Sequence, residues 1–138
     1  MVITRELRVR TAGHTDTHDI TSLVQVQVSD SGLTAGIVTV FCPGSTGGLT
    51  TIEYESGVVA DLQAALEALA PEDRDYLHHR RWGDDNGSAH IRAALIGPSL
   101  TVPFVAGRLT LGTWQQIVFL DFDTTPRARK LIVQVMGE

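Results

Sequence analysis

A single cysteine, Cys42, stands in a chain of 138 residues, so no disulfide can close within it. The lone thiol agrees with a reducing compartment. No apolar run approaches the roughly 18 residues of a membrane-crossing helix. The opening "MVITRELRVR" has no apolar stretch of the kind a secretory signal carries. A soluble protein of the cytoplasm, with no membrane partner, is therefore expected. Basic charge is also scarce: 11 Lys and Arg face 16 Asp and Glu, for a formal net charge of −5. A chain without a basic stripe is not expected to hold nucleic acid, since phosphate neutralisation supplies most of that affinity. No internal repeat, linker or low-complexity tract divides the sequence, and its length suits one domain over residues 1–138. What is present is a hydrophobic share of 43%, enough to pack a core.

The element pattern is mostly strand. "VITRELRVR", "AGIVTVFC", "SLTVPFV", "RLTLG", "TWQQIVFLDFD" and "LIVQVMGE" are β-branched or aromatic runs punctuated by Gly, Pro and Asp. Pro103 places its strand at an edge or bulge. "LTTIEYE" follows a Gly-rich turn and is read as pairing with the strand before it, and "TTPRARK" as a solvated turn. One long helix starts near Val58, where Val59, Leu62, Leu66 and Leu69 recur at helical spacing. Ser56 is its expected N-cap and Pro71 its stop. A shorter helix over about Thr21–Asp30, capped by Asp19 or Thr21 and ended by Ser31-Gly32, competes with a strand, because "LVQVQV" also alternates. The sum is an α+β fold: a compact, mostly antiparallel β-sandwich with one long and one shorter helix.

The densest chemistry lies in "YLHHRRWGDDNGSAH", residues 76–90. If this loop folds back, His78, Asp84, Asp85, Asn86 and His90 converge, with His90 opening the strand "HIRAALI". Imidazole and carboxylate together suit zinc or another borderline divalent ion. The spacing is no recognised zinc signature, and a solvated loop with capping aspartates is the alternative. Arg80 and Arg81 are candidate clamps for an anion, or neutralise nearby aspartates. "CPGSTGGLTTIE" is no phosphate-binding P-loop, for no Lys follows its glycines, yet its N–H groups can face an anion. Glu53, on the strand after it, is a candidate metal ligand or general base; otherwise it is a surface glutamate. "HTDTH" spaces His14, Asp16 and His18 two apart, as on one strand face, though Gly13 and the threonines favour a loop. Trp114 opens a strand as a core or interface aromatic, and Cys42 has no basic partner and is structural.

"YLHHRRWGDDNGSAHIRAALIGPSLTVP", "GRLTLGTWQQIVFLDFD" and the closing "VQVMGE" resemble the YjbQ-type family, small proteins often labelled secondary thiamine-phosphate synthase enzymes. The likeness spans nearly the whole chain and is densest from Tyr76 to Phe122. It implies a compact sandwich with flanking helices, packed as a homotrimer. It maps a clustered polar site onto His78, Asp84 to Asn86, His90 and Glu53. Many members carry His-Thr-Thr after the strand-ending proline; here "PGST" places Gly44 at the histidine's position. Ser45 and Thr46 then supply hydroxyls and N–H groups to an anion.

Two functional classes follow as expectations. The first is a metal-dependent enzyme acting on a phosphorylated small molecule, with thiamine-phosphate synthase-like transfer as a side activity. His78, His90, Asp84, Asp85 and Glu53 would hold zinc or magnesium. His78, His90 and Glu53 would act on the substrate, and Ser45, Thr46, Asn86, Arg80, Arg81 and Arg92 would hold its phosphate. At 138 residues the chain is too short for the eight-fold barrel of dedicated thiamine-phosphate synthases. The second class is a module that binds a metal or anionic metabolite without turnover; a purely structural oligomer ranks last.

Overall fold

The computed structural model describes residues 1–138. Its elements, in chain order, are β1 (Val2–Thr11), β2 (Asp16–Asp19), α1 (Thr21–Ser31), β3 (Ala35–Phe41), β4 (Gly47–Ile52), α2 (Ser56–Leu69), α3 (Leu77–Trp82), α4 (Gly87–Ile96), β5 (Ser99–Val105), β6 (Arg108–Leu109), β7 (Gln116–Asp121) and β8 (Arg127–Gly137). Five strands form one sheet in the order β1-β8-β3-β5-β6, and three form a second in the order β2-β7-β4. Every pairing is antiparallel. The fold is α+β, with four helices rather than the two expected.

Strand alternation builds the layers. On β8, Leu131, Val133 and Val135 are buried while Lys130, Gln134 and Met136 are exposed. β7 is buried on both faces. Ile117 and Phe119 join the larger core between the sheets, with Val38, Val40, Phe104 and Leu131. Val118, Leu120 and Phe122 turn the other way, onto Leu66 of α2 and Ala89 and Ala93 of α4. The order of layers is therefore large sheet, small sheet, then α2 and α4, while α1 packs Val24 and Val28 into the larger core. Each side chain from Ile117 to Leu120 has somewhere apolar to go, which explains the hydrophobic run within β7.

The structure decides the ambiguous segments. Thr21–Ser31 is helical: Val24 and Val28, four apart, are buried, while Val26 between them is exposed. It ends at Gly32, whose φ of +73° is the left-handed value that glycine adopts without penalty. α2 is capped by the Glu55 carboxylate, which accepts from the Gly57 and Val58 N–H groups, and not by Ser56.

Four segments are corrected. "HIRAALI" is helix α4 and not a strand, because Ala89, Ala93 and Ile96 recur at helical spacing against β7. "HTDTH" is no loop throughout: Asp16–Asp19 is β2, paired with β7. "PRARK" is not a solvated turn, since β8 begins at Arg127 and buries Arg129. β4 pairs with β7, not with β3. Its glycines serve close approach between layers: a Cβ on Gly47 would lie 2.9 Å from the Phe119 ring, and one on Gly48 would lie 2.9 Å from Ile96. Pro103 does sit at an open edge, since β6 covers only Phe104 and Val105 of β5. Trp114 lies before β7 and is 74% exposed, so it is no core residue.

Phe119→Ala is expected to cost about 3–5 kcal/mol in chemical denaturation, through lost burial and the cavity left behind. Leu69→Ala, at an exposed helix end, is expected to stay within about 0.5 kcal/mol of wild type.

Candidate functional site

α3 and α4 bring three imidazoles together over one end of the small sheet. His78 and His79 lie on α3, and His90 on α4. The His79 Nε2 accepts a hydrogen bond from the Gly87 N–H at 2.9 Å. His79 thus satisfies one of the orphan donors at the start of α4, and its proton sits on Nδ1. Gly87 has no room for a side chain, since a Cβ there would lie 2.5 Å from Tyr76. The Tyr76 ring meets His79 edge-on at 5.4 Å, and its hydroxyl donates to the Pro71 carbonyl at 2.7 Å.

The other two rings form a pair. His78 and His90 have ring centroids 4.4 Å apart. The His78 Nδ1–H donates to the Asp84 carboxylate at 3.0 Å, which orients the ring and leaves Nε2 free to bind or accept a proton. Burial lowers the His90 pKa below the usual imidazole value, and the neighbouring His78 lowers it further; Asp123, Asp84 and the Ser45 carbonyl oppose without prevailing. His90 is therefore neutral at neutral pH. It lines two hollows at once. One, of about 210 Å³, runs beside Gly44, Ser45, Gly47 and Pro98. The other, of about 460 Å³, is bounded by Tyr76, His78, Gly87 and Ile91.

Beneath the groove lies a buried charge network that links the two sheets. The Arg129 Nε–H and Nη2–H donate to the two Asp121 carboxylate oxygens at 2.7 and 2.8 Å, and Nη2 also donates to Thr46 Oγ1 at 2.7 Å. Thr11 Oγ1 donates to the same carboxylate at 2.5 Å. Asp123 accepts from Thr46 Oγ1 at 3.0 Å and pairs with Arg127 at 2.9 Å. It also takes the Asn86 amide at 3.5 Å, which ties the network to the start of α4. Burial alone would raise both carboxyls. Hydrogen bonds from Arg129, Thr11 and the Asp123 N–H outweigh that for Asp121, and hydrogen bonds from Thr124, Thr46 and Asn86 with the charge of Arg127 do so for Asp123, so both titrate below the ordinary range. The Asp121 contact in turn raises the Arg129 pKa. Cys42 lies buried beside this network with its thiol pKa raised by burial, an inert environment.

The expected site residues separate into two groups. His78, Asp84, Asn86, His90, Ser45 and Thr46 gather here. Asp85 is exposed and accepts from the Thr124 hydroxyl at 2.9 Å. Glu53 does not join them: it is exposed just past β4, while Gly47 at the start of that strand lines the groove. Six residues of extended chain put it roughly 20 Å away. Arg92 does not face a ligand either. It is 3% exposed and donates to Ala70 O, Thr15 Oγ1 and Glu67. Arg80 pairs with Asp75, and Arg81 lies over the Trp82 ring, both on the exposed face of α3. His14 pairs with Glu72 and His18 with Asp16, so these form no shared centre. No three His, Cys, Asp or Glu side chains are arranged to hold a metal ion. The donor set present does not fit the zinc or magnesium expected.

The residues that sequence reasoning missed are Arg129, Asp121, Asp123 and His79. Arg129 falls in register with the apolar stripe Leu131, Val133 and Val135, and Asp121 and Asp123 interrupt the apolar run of β7. A charge in a core register was the available signal.

Two antiparallel sheets backed by helices, with paired histidines over a buried arginine–aspartate network, define a small α+β protein. The chain belongs to the family described as UPF0047 protein YjbQ-like, whose model matches residues 5–138. A UPF0047 protein of Methanothermobacter thermautotrophicus is 40% identical over 137 residues, covering 99% of this chain and 94% of that protein. The UPF0047 protein YugU of Bacillus subtilis is 31% identical, covering 96% and 98%. Among solved structures, a protein of unknown function from Sulfolobus solfataricus superimposes with a TM-score of 0.94 at 30% identity, covering 100% of this chain and 99% of that one. A Clostridium acetobutylicum member of the family gives 0.87 at 37%, covering 96% and 99%. No helix here is long and apolar enough to cross a membrane.

Arg129→Met strands the Asp121 carboxylate in the interior and is expected to cost about 3–5 kcal/mol. Because the folded Asp121 and Asp123 carboxyls titrate below the unfolded value near 3.9, their contribution is complete above that pH. It is lost as pH falls through the lower folded values. Acid denaturation followed by circular dichroism is expected to show this loss below about pH 4, and Asp121→Asn is expected to flatten it.

Proposed function

We propose that the protein is an enzyme that holds a phosphorylated small molecule in the groove between the Gly44–Gly47 loop and α4, and moves a proton there through His78 and His90. The pairing of the two rings at 4.4 Å carries this reading. One ring is oriented by Asp84 and the other is kept neutral by its surroundings, the division of roles that general acid–base chemistry uses. Ser45 and Thr46 are the anchoring residues for phosphate, with Asn86 beside them. Since the imidazoles and Asp84 do not converge as three ligands, they are assigned to proton transfer and orientation rather than to a divalent ion.

A thiamine-phosphate synthase-like transfer, the side activity expected from the sequence resemblance, fits such a substrate. In that transfer a carbon–oxygen bond to diphosphate breaks, a carbon–nitrogen bond to the thiazole phosphate forms, and diphosphate leaves, its developing charge met by a proton relayed from solvent through His78 and His90. The groove would hold a phosphate of the leaving group. A binding module without turnover is the second reading. It is favoured by Arg92, Arg80 and Arg81 all having partners within the protein. Turnover of the pyrimidine methyl diphosphate with the thiazole phosphate separates the two. His90→Ala is expected to lower the rate about 100-fold or more at unchanged melting temperature. Binding of the diphosphate without turnover would select the module, and unchanged turnover in His90→Ala overturns the catalytic reading.

The same reading takes the active form to be a homotrimer in the cytoplasm. Exposed Leu77, Trp82, Leu95 and Trp114 offer apolar area for another copy to cover. Light scattering after gel filtration is expected to give the mass of three protomers; a stable monomer contradicts it.

A further inference from the structure

Arg129 is the one guanidinium under the groove, and its hydrogen-bonding capacity is only partly used. Nε and Nη2 are bound to Asp121 and Thr46. Nη1 has no partner in the protein, yet it is not among the buried unsatisfied atoms, so it keeps contact with solvent. It faces Gly44. A Cβ built on that glycine would lie 3.3 Å from Nη1 and 3.9 Å from Cys42 Sγ. Gly44 has no left-handed φ, so the backbone does not require glycine there. What glycine provides at this position is open space over the guanidinium.

The loop around that space is pinned and carries free donors. The Gly44 N–H is bound to the Cys42 carbonyl at 2.9 Å, and the Thr46 carbonyl accepts from the Phe122 N–H at 2.9 Å. The Ser45 and Thr46 N–H groups have no partner within the chain. Two adjacent free N–H groups beside an arginine nitrogen form an anion-binding concavity of a familiar physical kind. Gly44, Ser45 and Gly47 border the 210 Å³ groove, and His90 closes its other side. Asp121 neutralises the far edge of the guanidinium, and Asp123 is balanced by Arg127, so short hydrogen bonds rather than a general positive field decide what binds.

We propose that Arg129 Nη1 and the Ser45 and Thr46 backbone N–H groups form a subsite for a terminal phosphate group, and that Gly44 is the opening through which it reaches the arginine. This rests on the reading of the groove as a site for a phosphorylated molecule and names the residues that grip it. The subsite takes a compact tetrahedral oxyanion with three acceptors aimed inward. It does not rely on Arg80, Arg81 or Arg92.

Inorganic phosphate is the probe, titrated by calorimetry and by NMR into the full chain, the Gly44→Ala variant and the Gly44→Leu variant. The wild type is expected to bind, with shifts at the Ser45 and Thr46 amides and the Arg129 side chain. Gly44→Ala is expected to weaken binding about tenfold, the worth of one charge-assisted hydrogen bond, and Gly44→Leu to abolish it. Melting temperatures and the His78 and His90 ring signals of Gly44→Ala are expected to stay as in the wild type. Wild-type affinity in both variants, or binding without a shift at Arg129, overturns the subsite and leaves the groove reading standing. Failure of the wild type to bind either inorganic phosphate or a phosphate monoester sinks the groove reading as well.

Discussion

The buried pair of Arg129 and Asp121 is the constraint on which the rest of the architecture turns. A charge removed from water is costly, and a buried ion pair is tolerated when its remaining hydrogen-bonding capacity is met. Here Thr11 and the Asp123 N–H complete the carboxylate's partners, and Thr46 accepts from the guanidinium. Those partners come from β1, from the loop before β4 and from the end of β7. One ion pair therefore fixes the end of β7, the start of β8 and the loop that borders the groove. Asp123 extends the linkage to Asn86 and so to the first turn of α4, which carries His90. The imidazole over the groove is positioned, through four contacts, by charges inside the protein.

The groove has a rigid floor and a lightly held wall. The floor consists of strand ends whose side chains are almost fully buried. α3, which bounds the second hollow beside His90, buries none of its residues. Polar contacts hold it: His79 to the Gly87 N–H, His78 to Asp84 and Arg80 to Asp75. Few buried apolar contacts mean a low free energy of local opening. α3 can therefore open without disturbing either core cluster, while the Gly44–Gly47 loop stays tied to β7 through Thr46. Fixed anchor and movable wall are what a groove that admits a ligand and then surrounds it requires.

Much of this was legible in the residues. Alternation along β1 and β8 and the apolar spacing of α2 follow directly from burial on one face, and His78, Asp84 and His90 stood out as chemistry too dense for a plain connection. Other features were hidden for identifiable reasons. "HIRAALI" is a short apolar run, which periodicity alone does not assign to helix or strand. Arg92 stands two positions from His90, but two helical steps turn about 200°. It therefore points to the opposite face, and into the protein. Glu53 is near the Gly-rich loop in sequence, yet an extended strand carries it to the other end of the sheet. Arg129 was hidden among basic neighbours in "PRARK"; only its parity with Leu131 and Val133 distinguishes it from Lys130.

The account's central claim is that the groove between the Gly44–Gly47 loop and α4 receives a phosphorylated small molecule next to the His78–His90 pair. A crystal structure of the protein soaked with a phosphate monoester tests it most directly. The account predicts the phosphate against Ser45 and Thr46, within hydrogen-bonding reach of His90. A fully occupied phosphate monoester seated elsewhere, with this groove holding only solvent, would contradict it.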